Sequence, residues 1–222
     1  MDAGAYDAWY RTPRGAWIGD TEFELMRQLL RPEAGQSLLD VGCGTGYFTR
    51  RFAGLGNLSV VGLDPNRSWL DFAQLHRMGS EQYCIGTAEA LPFPDRSFDL
   101  SISVTALCFM EDARLALQEI LRVTRKRFAV GLLNRRSSLY LQKGRDGGSG
   151  AYRGARWHTA REIHALLDGL PVGNLKMRSS VFLSGGGSIA RTVERLVPHR
   201  LPLGAFIAIA GDVQKAKRDL AA

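Results

Sequence analysis

A chain of 222 residues with 45% hydrophobic content is long enough for one domain with a continuous core. The start, MDAGAYDAWYRT, has no basic region followed by an apolar run, and no stretch approaches the ~20 apolar residues that cross a bilayer, so neither secretion nor membrane insertion is expected. The formal charge of +7 divides into −6 over residues 1–120 and +13 over residues 121–222. A basic half can favour an anionic partner, but this excess lies in scattered arginines and the run TRKR; a solvated face is the simpler reading, and nucleic-acid binding is not expected. Cys43, Cys84 and Cys108 sit in apolar or glycine-rich surroundings with no CxxC pair, which reads as reduced thiols in a cytoplasmic protein with no metal site.

In chain order, the aromatic segment YDAWYRTPRGAW precedes an apolar strand ending at Val41. Tyr47, Phe48, Phe52 and Leu55 then recur at helical spacing. A second strand, SVVGLD (59–64), leads into a helix through WLDFAQLHRM. Next come a strand QYCIGT, a proline-rich loop LPFPDRS, a strand FDLSISV, a helix from about Ala113 to Val123, and a strand RFAVGLL. Strands alternating with helices predict a parallel sheet covered on both faces. Two glycine-rich stretches follow, KGRDGGSGAYRG and SGGGS, with the composition of mobile connectors. Between them Thr159 and Glu162 form a capping-box pattern that opens a helix. The strands NLKMRSSVFL and AFIAIAG, with IARTVERLV helical between them, finish the sheet. The whole reads as one domain over 1–222, with an N-terminal helical cap (1–35), a core (36–134) and a part that completes the sheet and the substrate side (135–222).

The turn LLDVGCGTGYFTR (38–50) carries the chemistry. A dinucleotide fingerprint would need a third glycine at position 47, where this chain has Tyr47; the spacing is GxGxG. Asp40 beside the turn would repel a pyrophosphate but suits an ammonium group, while a helix start suits a carboxylate. Asp64 lies at the tip of the second strand, where a carboxylate can accept hydrogen bonds from both ribose hydroxyls. An amino acid joined to a nucleoside fits all three features.

At these residues, together with VVGLDPNRSWL and GTAEALPFPDRSFDL, the sequence resembles the class I S-adenosylmethionine-dependent methyltransferases of the UbiE/type-11 kind. The resemblance implies an α/β, doubly wound Rossmann-like sheet of seven strands, mostly parallel with the last antiparallel, and S-adenosyl-L-methionine as cofactor. It further implies that Asp40, Gly42, Cys43, Gly44 and Gly46 face the methionine part and that Asp64 holds the ribose. Pro65, Trp69 and Leu70 would neighbour the adenine. Similar proteins carry an acid in a GDAE motif at the adenine edge; here Thr87 replaces it, followed by Ala88. The segment from Thr105 through TALCFMED would pass under the cofactor, with Leu107 either a contact or packing. Glu89 and Asp99 read as backbone-satisfying acids outside the site.

The sulfonium cofactor is already a good methyl donor, so the protein mainly has to align a nucleophile and exclude water, and no catalytic pair is visible as a motif. The resemblance places the acceptor against Tyr6, Trp9, Tyr10, Arg11, Arg14 and Trp17, then Cys108 and Phe109, then Tyr140, Tyr152, Arg156, Trp157 and His158. These residue types suit a small aromatic or anionic acceptor. Tyr6, Tyr10 and His158 are the catalytic candidates, although His158, directly before the capping Thr159, reads more simply as a structural residue; Tyr6, Trp9 and Tyr10 are expected as a lid. Methylation of RNA or protein, and cofactor binding without catalysis, are the competing readings.

Overall fold

The computed structural model describes residues 2–214. Two helices lead: α1 (Ala3–Trp9), whose N-cap Asp2 accepts from the Ala5 N–H, and α2 (Pro13–Leu30), opened by Thr12 with Pro13 in the first turn. Then follow β1 (Ser37–Val41), α3 (Tyr47–Ala53), β2 (Ser59–Asp64), α4 (Arg67–Leu75), β3 (Gln82–Ile85), β4 (Phe98–Val104), α5 (Ala113–Val123) and β5 (Thr124–Leu133). The chain closes with α6 (Ser138–Lys143), α7 (Ala160–Leu167), β6 (Val172–Ser180), α8 (Ser188–Leu196) and β7 (Phe206–Val213).

The strands form one sheet in the order β3-β2-β1-β4-β5-β7-β6, with the first five parallel and β7 antiparallel to both of its neighbours. The alternation of strands and helices therefore predicts the architecture correctly. The order reverses at β1, so the crevice beyond the carboxyl ends of β1 and β4 is where this topology places a ligand. The central strands are buried on both faces: Leu38, Leu39, Val41, Leu100, Ile102, Phe128 and Phe206 pack in the core.

Two local differences from the sequence reading have physical causes. β5 begins three residues earlier than RFAVGLL, because Thr124 pairs with Phe98 ahead of a register shift. Within TRKR, Arg125 and Lys126 pair with Asp99, and Arg127 pairs with Asp212, so much of this charge is neutralised between β5 and its neighbours β4 and β7. The first glycine-rich stretch is closed by turns, with the Ser149 N–H donating to the Lys143 carbonyl and the Gly154 N–H to that of Gly147. The Thr159 capping box is formed as its spacing predicts. No helix among the described residues is long and apolar enough to cross a membrane.

Candidate active site

β1 ends at Val41 and the chain turns at once. The N–H groups of Gly42 and Cys43 both donate to the Leu63 carbonyl, at 2.7 and 3.0 Å, tying the turn to the tip of β2. Gly42 has φ 75°, and a Cβ there would stand 2.3 Å from the Ala106 Cβ, so bare backbone is required where the turn meets the segment after β4. The Gly44 N–H donates to Asp64 Oδ2 at 2.8 Å, and the Asn66 N–H donates to Oδ1 at 2.9 Å. The carboxylate at the tip of β2 is thus oriented between two loops before any ligand arrives.

These groups border a cavity of about 760 Å³, within the range of small-molecule sites. Asp40, Gly42, Cys43, Gly44, Asp64, Pro65, Trp69, Thr87, Ala88 and Thr105 all line it. Gly46 does not: it caps α3, and the Tyr83 hydroxyl stands 2.5 Å from where its Cβ would be. Leu70 and Leu107 are likewise outside the wall, buried in the core. Asp40 is almost fully enclosed, and burial pushes its carboxyl up to about 7 against the opposing hydrogen bond from Thr49 at 2.7 Å. Burial also raises Asp64, opposed by the Asn66 and Gly44 N–H groups. Two acids destabilised in this way favour a cationic group and hydroxyl donors beside them.

The opposite wall comes from the first two helices. The Tyr6 ring lies on Trp69, centroids 4.9 Å apart, and Tyr10 stacks on Tyr47 at 3.7 Å and 11°. α1 is pinned by Asp7, whose Oδ1 accepts from Arg50 Nη2 at 2.6 Å; the two side chains are 10% and 9% exposed. Arg50 in turn donates to the Thr45 carbonyl inside the glycine turn at 2.6 Å, so the anchor of α1 and that turn share one residue. Arg14, Ile18 and Glu22, at helical spacing on α2, all face the cavity. Thr105 and Val181, both β-branched, hold left-handed backbones at φ 58° and 61° in this wall, a costly conformation that clusters at functional sites.

Of the remaining acceptor-side residues, Trp9, Phe109 and Tyr152 line the cavity, whereas Arg11, Trp17, Cys108, Tyr140, Arg156 and Trp157 do not. Cys108 is core, its Sγ accepting from the Leu133 N–H at 3.2 Å. The catalytic candidate His158 is also placed elsewhere. Its N–H donates to the Leu133 carbonyl and its own carbonyl accepts from Arg135, so the residue runs as a short bridge beside Asn134 and its side chain stays out of the cavity. Conversely Glu89, read as an acid outside the site, lines the wall, because the turn closed by the Thr87–Ala90 bridge carries it back. Asp99 is outside as expected, accepting from Ser37 at the far end of β1.

Sequence reasoning missed Glu22. A signal was available: it sits between Ile18 and Met26 on the apolar stripe of α2, where an acid has no structural use. Burial pushes its carboxyl up to about 8, and among the described residues it has neither a hydrogen-bond nor an ion-pair partner.

Residues 39–128 match the family described as "Methyltransferase domain". A solved SAM-dependent methyltransferase of Thermotoga maritima, described as a possible histamine N-methyltransferase, superposes with a TM-score of 0.73 at 26% identity, covering 95% of this chain and 96% of that one. Residues 39–128 belong to that methyltransferase family, on a fold shared with class I S-adenosylmethionine-dependent methyltransferases. Among curated relatives of this chain, an uncharacterized protein of Mycobacterium tuberculosis is 37% identical over 171 residues, 75% of this chain and 56% of that protein. A malonyl-[acyl-carrier protein] O-methyltransferase of Yersinia pestis is 38% identical over 98 residues, 44% of this chain and 36% of that enzyme. The chain thus spans about half the length or less of these curated relatives. The family's cofactor is S-adenosyl-L-methionine, and the wall fits it: a side-chain-free turn, an acid at each of two strand tips, and the ring of Trp69 over Gly44.

Proposed function

We propose that this protein transfers the methyl group of S-adenosyl-L-methionine to a small-molecule acceptor bound in the same cavity. One observation carries the reading: the cavity does not end at the cofactor residues but continues into a wall of Ile18, Leu133, Leu139, Tyr152, Val181 and Ala205, supplied by α2, the β5–α6 segment, the turn after α6 and the β6–β7 region. A second, largely apolar chamber sharing one volume with the first is what an acceptor aligned on a methyl donor requires.

When bound, the cofactor supplies an electrophilic methyl carbon on a positively charged sulfur. The chain's residues do the rest. Asp64, held by the Gly44 and Asn66 N–H groups, is positioned for the ribose hydroxyls, and Asp40 for the ammonium of the methionine part. Thr87 and Ala88 border the adenine end, a hydroxyl standing where similar proteins use an acid. Tyr6, Trp9 and Tyr10 cover the chamber and keep water from the reacting centre. The Asp7–Arg50 pair supports a fixed cover in place of a freely opening lid. The relatives' names include an O-methyltransferase and a possible N-methyltransferase, so the acceptor atom has to be argued from this chain's own wall. A cytoplasmic setting, where thiols stay reduced, suits three unpaired cysteines.

The test is to incubate the purified protein with S-adenosyl-L-methionine and a metabolite extract and follow S-adenosylhomocysteine, identifying the methylated product by mass. Cofactor-dependent product is expected. Tight S-adenosylhomocysteine binding with no turnover on any extract would favour cofactor binding without catalysis.

A further inference from the structure

Glu22 has no role in the cofactor half of the site, yet it is the acid that the acceptor chamber holds most deeply on α2. Arg14, Ile18 and Glu22 descend one face of that helix over about 12 Å. Arg14 is exposed at the rim, with its Nε donating to the Ser184 carbonyl at 2.7 Å, whereas Ile18 is buried and Glu22 half-buried in the cavity wall. Lys143, the other cation of the wall, is also exposed. The interior therefore presents a carboxyl, and the cations stay at the mouth.

Four tyrosines from separate elements line the same cavity as that carboxyl: Tyr6 on α1, Tyr10 in the following turn, Tyr47 on α3 and Tyr152 in the turn after α6. Each phenol is pushed up chiefly by burial, with a smaller contribution from the Glu22 charge. A carboxylate in a cavity lined by aromatic side chains, with no hydrogen-bond or ion-pair partner among the described residues, offers the recognition chemistry for an ammonium group, combining ion pairing with cation–π contact. An anionic acceptor would meet repulsion there.

Resting on the methyltransferase reading above, we propose that the acceptor is an amine carried on an apolar body, held as its ammonium by Glu22 within this aromatic wall and deprotonated by that carboxylate before attack. An N–H proton passes to a Glu22 oxygen and leaves the nitrogen lone pair free. The lone pair forms the new N–C bond to the methyl carbon as the C–S bond breaks, and that bond's electron pair stays on sulfur. The proton on Glu22 leaves through the mouth, so each turnover releases one proton. Burial sets the carboxyl at about 8, close to the ~10 of an alkyl ammonium, so the proton transfer is nearly balanced.

The test uses calorimetry on the full chain saturated with S-adenosylhomocysteine, with three probes that share one body: 2-phenylethylamine, 2-phenylethanol and 3-phenylpropanoate. The amine should bind at least about tenfold tighter than the alcohol, with the carboxylate weakest. Glu22→Gln should remove that preference, leave alcohol binding within about threefold, and leave S-adenosylhomocysteine affinity unchanged. Amine affinity of the native protein should rise from pH 6 to 9 as Glu22 ionises, and this rise should vanish in the variant. The amine proposal is overturned if the alcohol or carboxylate binds as tightly as the amine, if no probe binds, or if Glu22→Gln keeps the preference. Failure of S-adenosylhomocysteine itself to bind the native chain would instead sink the methyltransferase reading.

Discussion

The two ends of the cavity are built by different means. The end proposed for the cofactor is made of backbone and strand tips: a glycine turn after β1, Asp64 at the end of β2, and the Thr87 turn after β3, all within 50 residues of sequence. The end proposed for the acceptor is made of side chains from distant parts of the chain, from Tyr6 on α1 to Ala205 before β7. A site made of backbone is fixed by the fold and has a fixed spacing. One assembled from distant side chains can vary position by position without disturbing the sheet.

The sharpest way to break this contrast is at Gly42. A side chain there meets Ala106 at 2.3 Å on a left-handed backbone, so Gly42→Val should abolish S-adenosylhomocysteine binding and lower the yield of folded protein, read by calorimetry and circular dichroism. A folded variant that binds normally would show that the turn can move away from the segment after β4. Next in size is Asp7→Ala, which leaves Arg50 buried without its partner. A loss of about 3–5 kcal/mol in denaturant unfolding is expected. Because Arg50 also holds the Thr45 carbonyl, cofactor affinity should fall with it. Unchanged stability would mean that α1 is an independent flap and would restore a mobile lid.

Asp64→Ala tests the cofactor end by chemistry instead of shape. It removes the group placed for two hydroxyls and frees the Gly44 and Asn66 N–H groups, so affinity for S-adenosylhomocysteine should drop about tenfold or more, with modest change in melting temperature. Unchanged affinity in a folded variant would remove Asp64 from the ribose.

The same contrast explains what could be read from the sequence. Strand β4 is legible to the residue, because FDLSISV alternates apolar and polar residues between turn signals; Asp40 and Asp64 follow from their places around the glycine turn, and Thr87 from the family resemblance. For His158 the sequence leaves a base and a structural residue both open, because its placement is decided by pairing with Asn134, a contact 24 positions away that leaves no local pattern. Glu22 was overlooked for a different reason: helical periodicity marks the stripe of α2 but does not say whether an acid on it meets protein or an open chamber.

The smallest expected effect asks whether that acid has a cost in the folded state, and its sign is specific. Burial raises the Glu22 carboxyl from its ordinary 4.5 to about 8. Below 4.5 it is protonated in both the folded and the unfolded chain, and glutamine is nearly equivalent. Between 4.5 and 8 the unfolded chain is ionised while the folded chain still holds the proton, so this residue's contribution to stability declines as pH rises and is fully lost above 8. Glu22→Gln should therefore melt with the native protein near pH 4.5 and above it at pH 8. Water in the chamber screens the charge, so a gain on the order of 1 kcal/mol, or about 2–4 °C, is expected for a chain of this size. A lower melting temperature at pH 8 would mean that the carboxylate has a stabilising partner in solution, and the unpartnered acid would lose its claim on a ligand. A gain in stability accompanied by lost amine binding would show a group retained for function against its cost to the fold.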